Sequence, residues 1–433
     1  SAASQPLFQF SLTTEQAHGT SVAGVAVGQR NENAAASGVA YDANIAFRRI
    51  GAAGFEVRQG DLSTALKPFT QVEAETIDLY NNSWGLLPGF AAPPDSITSI
   101  QDGKNLGSTY VFSAGNNGGN VNFGSFANLM DVISVGAVNR DGTRADYSNY
   151  GASLFVVAPT DLRTADLLGA AGYTDGDYTD ETAGIGKHPF NGTSAAAPIV
   201  TGVAALIKDK KPALTVRDIQ HILAQSAQRN LFPADAGWSG QAGNLVRHSP
   251  QYGFGLVDAD AAVLLASTWQ PIRTTSLPLG WQIAPGAIPN NSPTGATSVA
   301  TVSAATAEGR LADWVQVGLD LAHDDPKDLR IELIHRYTTS TGEARESVSV
   351  LADPTSSQAL PPATVRNWTK GTSEDWLFSS AHLWGEPFEG EWLVRVADSS
   401  TEGEALHQFN AWSLKLNGVT QDPPTRPLIS VVA

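Results

Sequence analysis

The stretch Asn191-Gly-Thr-Ser-Ala-Ala-Ala-Pro198 runs straight into Ile199-Val-Thr-Gly-Val-Ala-Ala-Leu-Ile207. Small and aliphatic residues fill the second half, which predicts a helix packed closely against its neighbours. Ser194 falls just before that helix. A helix start carries N–H groups without intrahelical partners and the positive end of the macrodipole. A serine there is either a plain N-cap or a nucleophile whose attack creates an oxyanion beside ready donors. Pro198, one turn in, is tolerated at that depth.

Upstream lie two short β-branched runs, Ser108-Thr-Tyr-Val-Phe112 and Asp131-Val-Ile-Ser-Val135. Bounded by Gly or Asn, they read as strands of a parallel sheet covered on both faces. Downstream, Leu214-Thr-Val-Arg-Asp-Ile219 opens another helix: Thr215 as N-cap, Asp218 answering three residues later, Leu214 stapling onto Ile219. Strand–helix alternation over 1–268 predicts an α/β domain, a parallel sheet with helices on both faces. The texture then changes. Residues 269–298 are rich in Pro, Gly, Asn and Ser and are expected to be a linker and the start of a second domain. Over 299–418 alternating runs such as Trp314-Val-Gln-Val-Gly-Leu-Asp-Leu321 and Glu391-Trp-Leu-Val-Arg-Val396 predict an all-β sandwich. Residues 419–433 read as a Pro-containing tail.

The 433 residues suit two or three domains. The 27 basic and 43 acidic residues leave a net charge of −16, which repels phosphate backbones and argues against nucleic acid as a partner. No run of eighteen apolar residues occurs, so no membrane span is expected. The absence of cysteine excludes disulfides, thiolate metal sites and a cysteine nucleophile. The composition suits a secreted or periplasmic protein. The first residues carry no basic export signal, as expected of a mature or truncated chain.

Two further strings bear on chemistry. His18-Gly-Thr-Ser-Val-Ala-Gly24 sets a histidine among small residues on a helical pattern, its ring free to act or simply to pack. Ser113-Ala-Gly-Asn-Asn-Gly-Gly119 follows an apolar strand, so Asn116 sits at a strand's carboxyl end, where open α/β sheets place their sites. The same string is also good turn chemistry. Taken in order, the His18, Asn116 and Ser194 motifs resemble the subtilisin-like serine peptidases. Tyr80-Asn-Asn-Ser-Trp-Gly85 and His248-Ser-Pro-Gln-Tyr-Gly-Phe-Gly-Leu-Val-Asp258 are similar to the kexin/furin branch. Trp384-Gly-Glu386, Gly390-Glu-Trp-Leu-Val394 and Trp412-Ser-Leu-Lys-Leu-Asn-Gly418 resemble its P domain, a jelly-roll sandwich.

The resemblance implies a serine endopeptidase acting on protein or peptide substrates. It makes His18 the general base, Ser194 the nucleophile and Asn116 the oxyanion donor. Ser83, Trp84 and Gly85 become the substrate-binding strand. It also implies structural calcium in the loop after the histidine helix, with Gln29, Glu32, Ala34 and Ala36 as ligands.

The pattern breaks in two places. The family carries an aspartate on a strand well before its histidine, yet the first aspartate here is Asp42, and Glu15 is expected in the loop approaching His18. Three readings follow. A separate N-terminal fragment supplies the acid, the protein is a pseudopeptidase that keeps the frame for binding, or a carboxylate from elsewhere fills the gap. The specificity acids are also missing. Apolar Leu86-Leu-Pro-Gly-Phe90 follows Gly85, and Gly124 stands where the family has an aspartate, so a pocket for apolar residues is expected. Asp95 or the acidic cluster 175–181 folding back would restore a preference for Arg and Lys.

Overall fold

The computed structural model describes residues 14–30, 36–48, 50, 59–68, 77–86, 92–180, 188–239, 246–323, 328–354, 367–368, 377–399 and 407–420. In the first half, β1 (Leu79–Asn82), β2 (Thr109–Ser113), β3 (Val132–Val138) and β4 (Val156–Pro159) pair in that order, all parallel. Around them lie α1 (Thr14–Val27), α2 (Gln59–Leu66), α3 (Pro94–Asn105), α4 (Thr193–Lys210), α5 (Val216–Ser226) and α6 (Ala259–Thr268). Every residue of β2 and β3 is buried. The pleat sends Val111, Ile133 and Val135 toward Ala196, Val200 and Val203 of α4. It sends Tyr110, Phe112 and Val132 to the opposite face, onto Leu62 and Leu66 of α2 and Ile100 of α3. Continuous apolar runs are thus what a sheet covered on both faces requires.

Two local details follow from sequence chemistry. Thr215 caps α5 in a full capping box with Asp218. The other oxygen of Asp218 accepts from Trp269 Nε1 and Ile272 N, both at 2.9 Å, which fastens the crossing into the second half. In α4, Pro198 lacks the N–H that would bond the Ser194 carbonyl one turn back. The freed carbonyl accepts from Ser83 Oγ at 2.9 Å, so the proline joins the helix start to the end of β1.

The second half is a sandwich of antiparallel strands: β5 (Thr274–Ala287), β6 (Ala296–Val302), β7 (Leu311–Ala322), β8 (Leu329–Thr338), β9 (Ala344–Ala352), β10 (Asn367–Trp368), β11 (Leu377–Ser380), β12 (Gly390–Asp398) and β13 (Gln408–Val419). One sheet runs β10-β7-β13-β5, with β11 also on β7; the other runs β6-β12-β8-β9. Trp392, Trp412, Phe378 and Phe388 fill the space between. The stretch 269–298, expected as a linker and the start of the second domain, carries β5. Pro278 and Pro285 disguise it as a connection. The strand tolerates them because it is an edge of its sheet.

The two halves share buried surface. Trp314 and Ala381 of the sandwich pack into the core of the first domain, and Phe123 and Ala152 of the first domain pack into the sandwich core. Arg217 pairs with Asp313, whose carboxylate also lies 3.1 Å from His221 Nε2. Burial alone would raise the Asp313 carboxyl. The Arg217 charge and the His221 hydrogen bond outweigh it and hold the group below its ordinary value. His248 Nδ1 and His382 Nδ1 meet across the seam at 3.2 Å.

Candidate active site

Ser194 is the second residue of α4, and the N-cap is Gly192, so the plain N-cap reading does not apply. Gly192 has φ +84°, and a Cβ there would sit 3.1 Å from Asn116 Nδ2, so both conformation and space demand glycine. The helix-start donors are largely assigned. Gly192 N donates to the Tyr147 hydroxyl at 3.1 Å and Thr193 N to Asn116 Oδ1 at 2.8 Å. The Ser194 N–H has no intrahelical acceptor at that position and no other partner among the described residues.

Asn116 follows β2 as expected. Its Oδ1 accepts twice from Thr193, from the amide at 2.8 Å and from the hydroxyl at 2.7 Å. With the oxygen fixed, the Nδ2 end is oriented, and Asn116 and Ser194 line the same two cavities. The loop itself is braced by Asn149, which donates to Ala114 O at 2.9 Å and accepts from Gly119 N at 2.9 Å and Asn117 N at 3.2 Å. Nothing local in the sequence marks Asn149. Its role depends on the loop lying against it.

His18 sits within α1, and Glu15 belongs to the same helix rather than to an approach loop. The imidazole meets Phe190 edge-on at 5.5 Å and shares a cavity of about 200 Å³ with Asn116, Gly192 and Ser194. Burial lowers its pKa below the ordinary 6.5, leaving a neutral ring at neutral pH, and no carboxylate contributes among the described residues. The Ser194 hydroxyl donates to Ser83 O at 3.2 Å, and no hydrogen bond joins it to His18 among the described residues. Catalytic serine–imidazole contacts are often long in the absence of substrate and commonly tighten only when it is bound.

Ser83, Trp84 and Gly85 form one rim of a cavity of about 380 Å³ whose opposite wall is the 112–127 segment. Gly85 is exposed, as a backbone edge open to an extended peptide would be. Trp84, Phe112 and Phe126 make an aromatic cluster, with the two phenyl rings stacked at 5.3 Å and the indole edge-on to both. Leu86 and Gly124 complete the lining, and no charged side chain borders the cavity among the described residues. Asp95 is exposed on α3 and is not part of it.

The calcium expectation lies mostly outside the described residues, which include neither Glu32 nor Ala34. Gln29 is exposed and Ala36 half-buried, at the base of a loop closed by Gly38 N donating to Gly28 O at 2.8 Å.

With this arrangement in view, comparison with known proteins is decisive for the family. A profile described as the subtilase family matches residues 9–255. The chain belongs to the subtilase family. A second profile, the proprotein convertase P-domain, matches residues 312–416, within the β-sandwich. Proprotein convertase subtilisin/kexin type 6 of Rattus norvegicus is 27% identical over 449 residues, covering 96% of this chain and 43% of the relative. Kexin of Saccharomyces cerevisiae is 26% identical over 422 residues, covering 94% and 47%. The chain thus spans about half the length of these curated relatives. The solved serine protease of Aeromonas sobria superposes with a TM-score of 0.75 at 23% identity, covering 96% of this chain and 85% of that one, a likeness of fold. No helix among the described residues is long and apolar enough to cross a membrane.

Proposed function

We propose that this subtilase is a serine endopeptidase in which Ser194 is the nucleophile, His18 the general base, and Asn116 with the Ser194 N–H the oxyanion hole. The observation that carries the reading is the junction at the start of α4. Thr193 fixes the Asn116 oxygen, so the amide nitrogen and the unassigned Ser194 N–H both belong to the cavity that holds the serine hydroxyl. In the reaction Ser194 Oγ attacks the scissile carbonyl and His18 takes the hydroxyl proton. The oxyanion accepts from Asn116 Nδ2 and Ser194 N. His18 then protonates the leaving amine, and water releases the acyl group by the same route in reverse. The Ser83–Gly85 edge pairs with the substrate backbone.

The cavity between that edge and the 112–127 segment takes the side chain preceding the scissile bond. An aromatic lining without a carboxylate favours apolar residues there. A buried Arg or Lys head would be left unpaired at a cost of several kcal/mol, roughly.

The acid that would orient His18 is assigned to a separate N-terminal segment. Losing such an acid costs about 10⁴-fold in turnover, so complementation raises activity sharply. Calcium in the 28–38 loop and a secreted or periplasmic location complete the reading; no step depends on either. The binding-protein alternative finds no support, since the relatives are named as proteases. A fluorophosphonate probe tests the assignment. It should label Ser194 and no other residue, and labelling should vanish in Ser194→Ala. Labelling elsewhere would sink the reading.

A further inference from the structure

At one end of the sandwich, three side chains from distant parts of the sequence converge. His323 follows β7, Asp398 closes β12, and His407 precedes β13. β7 and β13 lie in one sheet and β12 in the other, so the cluster spans the gap between sheets. All three residues are buried, and one potential ligand atom from each lies within 4.8 Å of the others. Asp398 Oδ2 is 3.3 Å from His323 Nε2 and 3.2 Å from His407 Nδ1. The imidazoles face each other with centroids 3.7 Å apart.

The His407–Asp398 contact is within hydrogen-bond distance, and the same domain holds a second, shorter histidine–carboxylate pair. His335 Nδ1 and Glu386 Oε2 are 2.7 Å apart, a normal charge-assisted contact. The separations at Asp398 are longer and are also those that a shared ion would impose. With metal–ligand bonds of about 2.0–2.1 Å, the edge of a tetrahedron is roughly 3.3–3.4 Å. Two imidazoles and one carboxylate form a donor set for a borderline cation such as Zn²⁺, not for calcium or magnesium, which take oxygen ligands.

We propose that His323, Asp398 and His407 form a structural Zn²⁺ site that cross-links the two sheets of the P domain. Three protein ligands leave one position for water or a further oxygen donor. The bound ion ties the end of β12 to the paired ends of β7 and β13, which no disulfide can do in a chain without cysteine. The site is distinct from the peptidase cleft, so it does not depend on the catalytic reading.

The test uses the full chain, stripped with a chelator and titrated with ZnCl₂ alone in calcium-containing buffer. One saturable site is expected, with a rise in Tm of about 5 °C at saturation. His407→Gln should weaken binding at least about 100-fold, whereas His18→Ala should leave it unchanged. No saturable site, or unchanged binding in His407→Gln, overturns the proposal. If that variant fails to fold, X-ray absorption of the zinc-loaded wild-type chain decides. Two imidazoles in the first coordination sphere support the site, and an all-oxygen sphere overturns it.

Discussion

The segment 112–128 separates two surfaces of opposite character. Toward the cleft it presents Phe112, Phe126 and Gly124 to a cavity that no charged side chain borders among the described residues. Toward the second domain it presents amides that are all engaged. Asn120 and Asn122 both donate to Leu351 O, at 3.0 and 3.2 Å; Asn122 accepts from Ser379 N at 3.0 Å; Asn128 donates to Leu377 O at 2.9 Å. One short segment therefore lines the cavity and docks the P domain, with Asn120 in both roles. The seam adds these amide pairs to the apolar packing of Trp314 and Ala381 and so specifies one position; the cavity has an aromatic wall and would select by shape and desolvation. Through these amide pairs the P domain braces the segment that walls the cavity.

The contrast is broken most severely at the cleft. Ser194→Ala should cut turnover by about 10⁶-fold while leaving Tm unchanged, read from peptide hydrolysis and a thermal melt of the same sample. A large fall in Tm would mean that Ser194 is a structural residue. The opposite result is expected at the seam. Asp313→Ala leaves the buried Arg217 without its partner and should cost about 3–5 kcal/mol of stability, with hydrolysis retained at low temperature.

Acid should attack the seam before the cleft. Burial, with the neighbouring His382 ring, pushes His248 down to about 3; burial pushes His382 down to about 4. His221 is also lowered, since burial outweighs the pull of Asp313. These rings stay neutral when folded but bind protons below about 6.5 when unfolded. The stability is fully present above pH 6.5 and drains away as pH falls through about 4 for His382 and about 3 for His248. A Tm at pH 4.5 lower than at pH 7 by on the order of 5–10 °C is expected, and His382→Leu should flatten the profile. The smallest effect belongs to Asn122→Ala, which removes two contacts to the P domain. It should cost about 1–3 kcal/mol and loosen selectivity at the pocket by a few-fold. Lost stability with unchanged selectivity would mean that the brace does not reach the pocket wall.

Much of this frame is legible from local sequence. The buried runs at 108–112 and 131–135 become β2 and β3, and the Thr215–Asp218 capping box forms as its spacing demands. Ser194 and Asn116 are flagged by their strings and meet at the same cavity. What stays hidden depends on partners remote in sequence. Asn149 bonds a loop thirty-odd residues earlier, and Asp313 finds Arg217 and His221 only once the domains dock. The role of Pro198 is hidden for the same reason, because the carbonyl it frees is claimed by Ser83 of another element.

The central claim is that a pocket without charged side chains among the described residues, walled by a segment that also docks the P domain, sets the site of cleavage. A diverse peptide library digested by the complete enzyme and read by mass spectrometry tests it most directly. The account predicts cleavage after apolar residues, with Arg and Lys disfavoured by at least about tenfold. Cleavage confined to sites after Arg or Lys would contradict it, because that selectivity requires a carboxylate inside the pocket.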